Sequence, residues 1–295
     1  MPTVELKAST DTIKSDIWTE AIDWLSKYPV TNSIGISVLE GVTKSPHSYP
    51  AFRLLVEKTD DGIVGLAWIN PPFPINIVCQ SCDLSRLKIF KILSDFFIDS
   101  ESKPIEFQAS SDICAHLECV IRNRVAIKSN VARAMSLLVI DRFDQLRRHG
   151  SSAGPESIRR ATISDKMCLI EMRENFLRES NMFYTKEATE NEVDGLIDRG
   201  VVFVAEIGGS IVAKVALNDC GSCRRLGSVY TCPEMRGRGI AKSLISHATA
   251  FALKHGPCCL YVDHNNSVAT AIYENLGYSP LTDIKVMQFQ RAYIY

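Results

Sequence analysis

No apolar run in this 295-residue chain approaches the roughly 20 residues that a helix needs to cross a bilayer. The opening segment, MPTVELKASTDTIKSD, lacks the apolar core of a signal peptide, so a cytoplasmic setting is expected. A surplus of one charge is lacking too. Lys+Arg of 33 against Asp+Glu of 34 leaves a formal net charge of -1, which favours neither nucleic acid nor an anionic membrane as a partner. No serine or cysteine sits in a nucleophile elbow such as GxSxG.

Ten cysteines are present, and a reducing compartment would keep them as thiols. Cys79 with Cys82 and Cys220 with Cys223 stand at CxxC spacing, and four thiolates would suit zinc. The pairs fall in different halves of the chain, however. The other six sit mostly in apolar runs, as buried thiols do, so no metal is expected.

What the chain does have is ordinary globular material, 46% hydrophobic and 23% charged, at a length that suits two domains of about 150 residues. The small, polar stretch HGSSAGPES, residues 149–157, reads as a link between domains. The expected organisation is residues 1–148, a linker at 149–156, and residues 157–295.

Either side of that link, element types recur in one order. Strand patterns at 52–58 and 63–70 flank the turn Asp60-Asp61-Gly62, and patterns at 201–207 and 211–218 flank Gly208-Gly209. Helical spacing follows at 84–97 and again at 240–253. A proline-led strand comes next (104–107 and 257–262), then a polar cluster and a helix (113–122 and 268–276), then a closing strand (134–140 and 284–289). Further helices are expected at 13–28 and 166–179. This is a tandem duplication of one α/β unit, and it rests on the order of elements because residue identity between the halves is low.

One segment carries a chemical signature. After the strand-like Leu226-Gly-Ser-Val229-Tyr230-Thr231 comes Cys-Pro-Glu-Met-Arg236-Gly237-Arg238-Gly239, and an amphipathic helix begins at Ile240-Ala241. A helix N-terminus presents unpaired N–H groups and the positive end of a dipole. Glycines let the backbone approach a phosphate, and the arginines add positive charge. Together these make a pyrophosphate cradle, or else a tight turn with a solvated basic rim. A P-loop is a poor fit, for want of Lys-Ser/Thr at the matching glycine spacing. So is a dinucleotide fold, for want of a third glycine.

Arg236-Gly-Arg-Gly239-Ile-Ala241 resembles the [Q/R]-x-x-G-x-[G/A] coenzyme A loop of the GNAT acetyltransferase superfamily. About 25 residues on, Asn265-Asn266-Ser-Val-Ala-Thr-Ala-Ile-Tyr273-Glu-Asn-Leu-Gly277-Tyr278 resembles that family's second signature. The resemblance covers about residues 157–295. The first half is similar only in pattern, and its corresponding segment, Cys79-Gln-Ser-Cys-Asp83-Leu84, has an acid and no glycine where phosphate would sit.

The resemblance implies an α/β fold with a mixed sheet in tandem GNAT-like acyl-CoA N-acyltransferase domains, the first degenerate. It implies acetyl-CoA, or another acyl-CoA, as co-substrate and an amine of unknown class as acceptor. Backbone amides from Arg236 through Gly237, Arg238, Gly239 and Ile240 to Ala241 would hold the pyrophosphate. Val229, Tyr230 and Thr231 would pair with the pantetheine arm. Asn266 would bond that arm or cap its own helix. Tyr273 would protonate the leaving thiolate or serve as a core aromatic. Glu206, Glu234, Asp263 and His264 lie near strand ends, but none is singled out as the base. The implied activity is N-acetyl transfer by direct attack in a ternary complex. The alternatives are an acyltransferase for longer chains and a non-catalytic coenzyme A-binding regulatory or scaffolding protein.

Overall fold

The structure, a computed structural model, describes residues 3–8, 12–80, 83–100, 103–147, 155–180, 182 and 184–292. It is a mixed α/β chain in two compact units, Met1–Leu137 with Thr282–Tyr295, and Leu138–Leu281. The division does not fall at the expected link. Residues 148–154 of that link lie outside the described residues. The last stretch of the chain belongs to the first unit.

In chain order the first copy runs β1 (Thr3–Lys7), α1 (Asp16–Ser26), α2 (Ser33–Lys44), β2 (Arg53–Thr59), β3 (Gly62–Ile69), β4 (Ile75–Cys79), α3 (Lys88–Asp99), β5 (Ile105–Ser110), α4 (Ser111–Arg122) and β6 (Ile127–Ile140). The second runs β7 (Ser157–Arg160), α5 (Lys166–Glu179), α6 (Lys186–Asp198), β8 (Val202–Ile207), β9 (Ser210–Cys220), β10 (Cys223–Thr231), α7 (Ile240–Ala252), β11 (Cys258–Asp263), α8 (Ser267–Leu276) and β12 (Ser279–Arg291). The two series are the same, element for element.

Pairing repeats as well. β1 to β4 are joined antiparallel in sequence, and β4 then meets β5 in parallel. β7 to β10 are likewise antiparallel, and β10 meets β11 in parallel. A parallel step needs a crossover, and α3 and α7 supply it. β5 is then joined antiparallel by β12, with Ile284 opposite Ser110 and Phe289 opposite Ile105. Phe289 is fully buried there, its ring 5.5 Å from Phe107 and 6.3 Å from Phe97. The closing strand of the second copy thus completes the core of the first unit.

The two helices absent from the sequence reading have physical reasons, and the strands β1, β4 and β7 are absent from it too. α2 carries Gly35 and Gly41, which weaken a helical pattern. Gly35 is needed, because a Cβ there would stand 3.0 Å from the Trp68 ring. α6, KEATENEVDGLID, is largely polar and buries only Thr189, Val193, Leu196 and Ile197.

Candidate active site

The site is built where β10 and β11 part. Their parallel register pairs Arg224 with Cys258 and Arg225 with Cys259. β10 then runs on to Thr231 and β11 to Asp263 without further pairing to each other. The crevice beyond the carboxyl ends of parallel strands is where α/β sheets take ligands. On its other edge β10 stays paired to β9, but the register shifts between Gly227 and Tyr230. Ser228 and Val229 therefore form a β-bulge, with Ser228 at a φ of 52°, a left-handed backbone that non-glycine residues rarely adopt.

Thr231 ends the strand, and its buried hydroxyl oxygen has no hydrogen-bond partner among the described residues. A buried polar group left unmatched is costly. A short turn over Pro233–Met235 leads to Arg236. The Arg236 amide donates to the Pro233 carbonyl at 3.3 Å, so it is already used, and the amides open to a ligand begin at Gly237. Gly237 and Gly239 both hold a φ of 77°, and a Cβ on Gly237 would meet nothing within 4 Å. Gly239 is the N-cap of α7 and offers no side chain to its first turn. The N–H groups at Ile240 and Ala241 are thus uncapped by the chain, while the Ile240 side chain is buried in the core. Loop and helix start fit a pyrophosphate.

The two arginines differ. Arg238 is exposed on the loop. Arg236 is held: Nη2 donates to both carboxylate oxygens of Glu179, at 3.0 and 2.7 Å, and Nε to the Thr231 carbonyl at 3.0 Å. The Tyr230 hydroxyl donates to the same Glu179 at 3.0 Å, and Arg236 lies over the Tyr230 ring. Glu179, at the end of α5, therefore neutralises much of the charge expected of Arg236.

Across the crevice, Asn266 caps α8, its Oδ1 accepting from the Ala269 amide at 3.0 Å. Tyr273 is 7% exposed, its ring edge-on to Tyr278 at 5.9 Å. Tyr278 spends its hydroxyl on Thr249 (2.7 Å) and Cys258 (3.2 Å), whereas among the described residues that of Tyr273 makes no hydrogen bond. Burial, and secondarily Cys258, pushes the Tyr273 phenol well above its ordinary range, so it stays protonated. Gly277 ends the helix at a φ of 105°.

Of the acids near strand ends, Glu206 is engaged by Arg159 at 2.6 Å and Ser157 at 2.6 Å. Asp263 holds the turn before α8 by accepting from the Asn265 amide at 2.9 Å. Glu234 and His264 are exposed. Two residues at the bulge went unread in the sequence. Lys214 of β9 is buried, with Nζ 2.6 Å from Ser228 Oγ. The signal was a lone lysine inside the apolar run Ile211-Val-Ala-Lys214-Val-Ala-Leu217. Among the described residues no group of three or more His, Cys, Asp or Glu side chains could hold a metal ion. Cys82 is outside them, and Cys220 and Cys223 are buried as register partners across their hairpin.

Residues 198–280, which span β8 to α8, match the family described as Acetyltransferase (GNAT) domain. That segment matches a GNAT domain. No curated protein sequence matches the chain. Among solved structures, a GNAT-family acetyltransferase from Colwellia psychrerythraea is similar with a TM-score of 0.62 at 13% identity, over 99% of this chain and 100% of that one. A tandem GNAT protein from the clavulanic acid biosynthesis pathway gives 0.63 at 11% identity, over 100% and 99%. A GCN5-related N-acetyltransferase from Sphaerobacter thermophilus gives 0.59 at 14%, over 99% and 97%. At such identities the likeness concerns the fold alone, and it extends over both copies. No helix among the described residues is long and apolar enough to cross a membrane.

Proposed function

We propose that the chain is an N-acyltransferase that moves an acetyl group from acetyl-coenzyme A to an amine by direct attack within a ternary complex. The observation that carries this reading is the uncapped start of α7. Gly237 and Gly239 turn their backbone left-handed there, leaving the amides from Gly237 to Ala241 to hold a pyrophosphate. The Val229–Thr231 end of β10, unpaired on its β11 side, would take the amide-rich pantetheine arm as an added strand does. The orphaned Thr231 hydroxyl supports that placement.

An N–H at the bulge polarises the thioester carbonyl as charge develops on its oxygen. Tyr273 supplies a proton to the departing thiolate. Its raised pKa does not oppose this, because the thiolate leaves into the same apolar surroundings, where burial raises thiols as well. Asn266, committed to its helix cap, sets the position of α8 and so of Tyr273.

Thermal unfolding with and without acetyl-coenzyme A tests the reading. Ligand at about 100 times its dissociation constant stabilises a native state by roughly 2.7 kcal/mol. The wild type should show that shift, and Gly239→Asp should lose it, since an acid at the cradle repels phosphate. Tyr273→Phe should keep the shift and lose turnover. A shift with no coenzyme A release to any amine would favour a regulatory coenzyme A-binding protein. No shift at all would overturn both.

A further inference from the structure

The bulge of β10 holds a polar cluster that coenzyme A binding does not require. Lys214 is 3% exposed in a strand whose neighbours from Val212 to Leu217 are all buried and apolar. Its Nζ stands 2.6 Å from Ser228 Oγ and 3.5 Å from the Ser228 carbonyl. Among the described residues it forms no ion pair. Arg173 of α5 donates from Nη1 to the same hydroxyl at 3.4 Å and is itself bound by Glu192 of α6 at 2.9 Å. Ser228 is only half-buried, so its hydroxyl links a buried amine to the open end of β10. It is also the one described non-glycine residue with a positive φ, and strained backbone of this kind clusters at functional sites.

We propose that Ser228 and Lys214 together accept the proton that the acceptor amine must lose before it attacks. This inference rests on the acyl-transfer reading. The acceptor arrives as an ammonium ion. One of its protons passes to Ser228 Oγ while the hydroxyl's own proton passes to the lone pair of Lys214 Nζ. The freed amine forms the C–N bond to the thioester carbon, the C–S bond breaks with the electron pair on sulfur, and Tyr273 protonates that sulfur. The attacking nitrogen's remaining excess proton restores Tyr273 through water. The Lys214 ammonium then releases its proton to solvent, so the net products are amide, thiol and one proton.

The surroundings make Lys214 suited to this. Burial first, and then the Arg173 charge, pull it down to about 7, while Glu192 and Cys168 act in the opposite sense. Across the sheet its β8 register partner is the apolar Val204. A neutral amine is therefore available near neutrality, where an ordinary lysine would be fully charged.

The test uses the full chain as wild type, Lys214→Met, Lys214→Arg and Ser228→Ala. With 13C,15N-labelled lysine, the NMR signal that disappears in Lys214→Met reports Lys214 directly. It should titrate near neutrality and shift its midpoint in Ser228→Ala. A midpoint in the ordinary lysine range would overturn the inference. Coenzyme A release is then followed with acetyl-coenzyme A and a pool of spermidine, glucosamine, free lysine and a short peptide. In wild type kcat/KM should fall below about pH 7. Lys214→Met should lose about 100-fold in kcat and lose that acidic limb, with the acetyl-coenzyme A thermal shift intact. Lys214→Arg, whose cation does not deprotonate, should not rescue it. An unchanged limb, or an acetyl group trapped on Ser228, would overturn the inference while leaving acyl transfer standing. A wild type with no acetyl-coenzyme A shift is a separate result that overturns the acyl-transfer reading itself. If no amine in the pool is accepted, the NMR midpoint decides.

Discussion

The two copies treat the same helix start in opposite ways. In the second unit the start of α7 is left open behind two left-handed glycines. In the first unit the corresponding helix is α3, and the Glu57 side chain of β2 fills its start. The amides of Lys88 and Ile89 each donate to one Glu57 carboxylate oxygen at 2.8 Å. A carboxylate on a helix N-terminus satisfies orphan donors and the dipole together. One copy thus leaves its helix start open, and the other closes it with its own chain. Asp83 of the preceding turn accepts from Ser85 and pairs with Arg86, and the fully buried Glu57 is what occupies the position.

The largest expected effect concerns how the first copy borrows its last strand. Phe289→Ala should cost about 3–5 kcal/mol, as for large buried aromatics generally. Denaturant unfolding should show the loss in a transition of the first unit, although the residue lies at the far end of the chain. If the transition of residues 138–281 moved instead, the assignment of β12 to the first unit would be wrong.

Next comes the buried lysine, to which the first copy has no counterpart. Its matching strands, β3 and β4, pair from Gly65 to Trp68 without a register shift, and Leu66 faces Val56 where Lys214 faces Val204. Lys214 has a folded pKa of about 7 against about 10.4 in an unfolded chain. Between those values the unfolded state binds more protons, so stability rises with pH by about 1.4 kcal/mol per unit. The penalty is full below pH 7 and gone above about 10.4. Lys214→Met should therefore be more stable than wild type at pH 7, by up to about 4 kcal/mol less about 1 for the lost hydrogen bond. The gap should close as pH approaches 10. A gap independent of pH would show that Lys214 is charged in the fold.

Glu57→Ala sharpens the comparison of helix starts. It removes two hydrogen bonds to a charged group and should destabilise the first unit by about 2–3 kcal/mol. It should create no second acetyl-coenzyme A site by calorimetry, since neither glycine nor bulge is there to complete one. A gain of binding would mean that Glu57 alone silenced the first copy.

Much of this comparison was legible in the sequence because it depends on local signals. The helix at 166–179 stands as read, and the glycines at 237 and 239, read as freeing the backbone, hold left-handed torsions. Tyr273 and Asn266 were placed on their helix, with capping as one of the two roles weighed for Asn266. Interactions that join residues far apart in sequence could not be read. Glu57 reaches α3 across 31 residues, Arg236 is met by Glu179 across 57, and β12 pairs with β5 rather than closing its own copy. Lys214 lay between these cases. A lysine in an apolar strand is visible as an anomaly, but the bulge that gives it a partner exists only once β9 and β10 are in register.

The smallest expected effect tests how completely the second copy is open. Arg236 is the one cation at the cradle tied to an acid, and both side chains of the Arg236–Glu179 pair are about half exposed. Exposed pairs of this kind contribute about 0.2–1 kcal/mol, so Glu179→Gln should barely change thermal stability. It should, however, leave Arg236 with its full charge beside the loop. Acetyl-coenzyme A affinity should then rise a few-fold at low salt, with the gain fading as salt screens the added attraction. Calorimetry at two ionic strengths measures both. Weaker binding in Glu179→Gln would mean that the acid is there to aim Arg236 and Tyr230, and that the second copy also depends on an internal carboxylate, to shape its anion site and not to fill it.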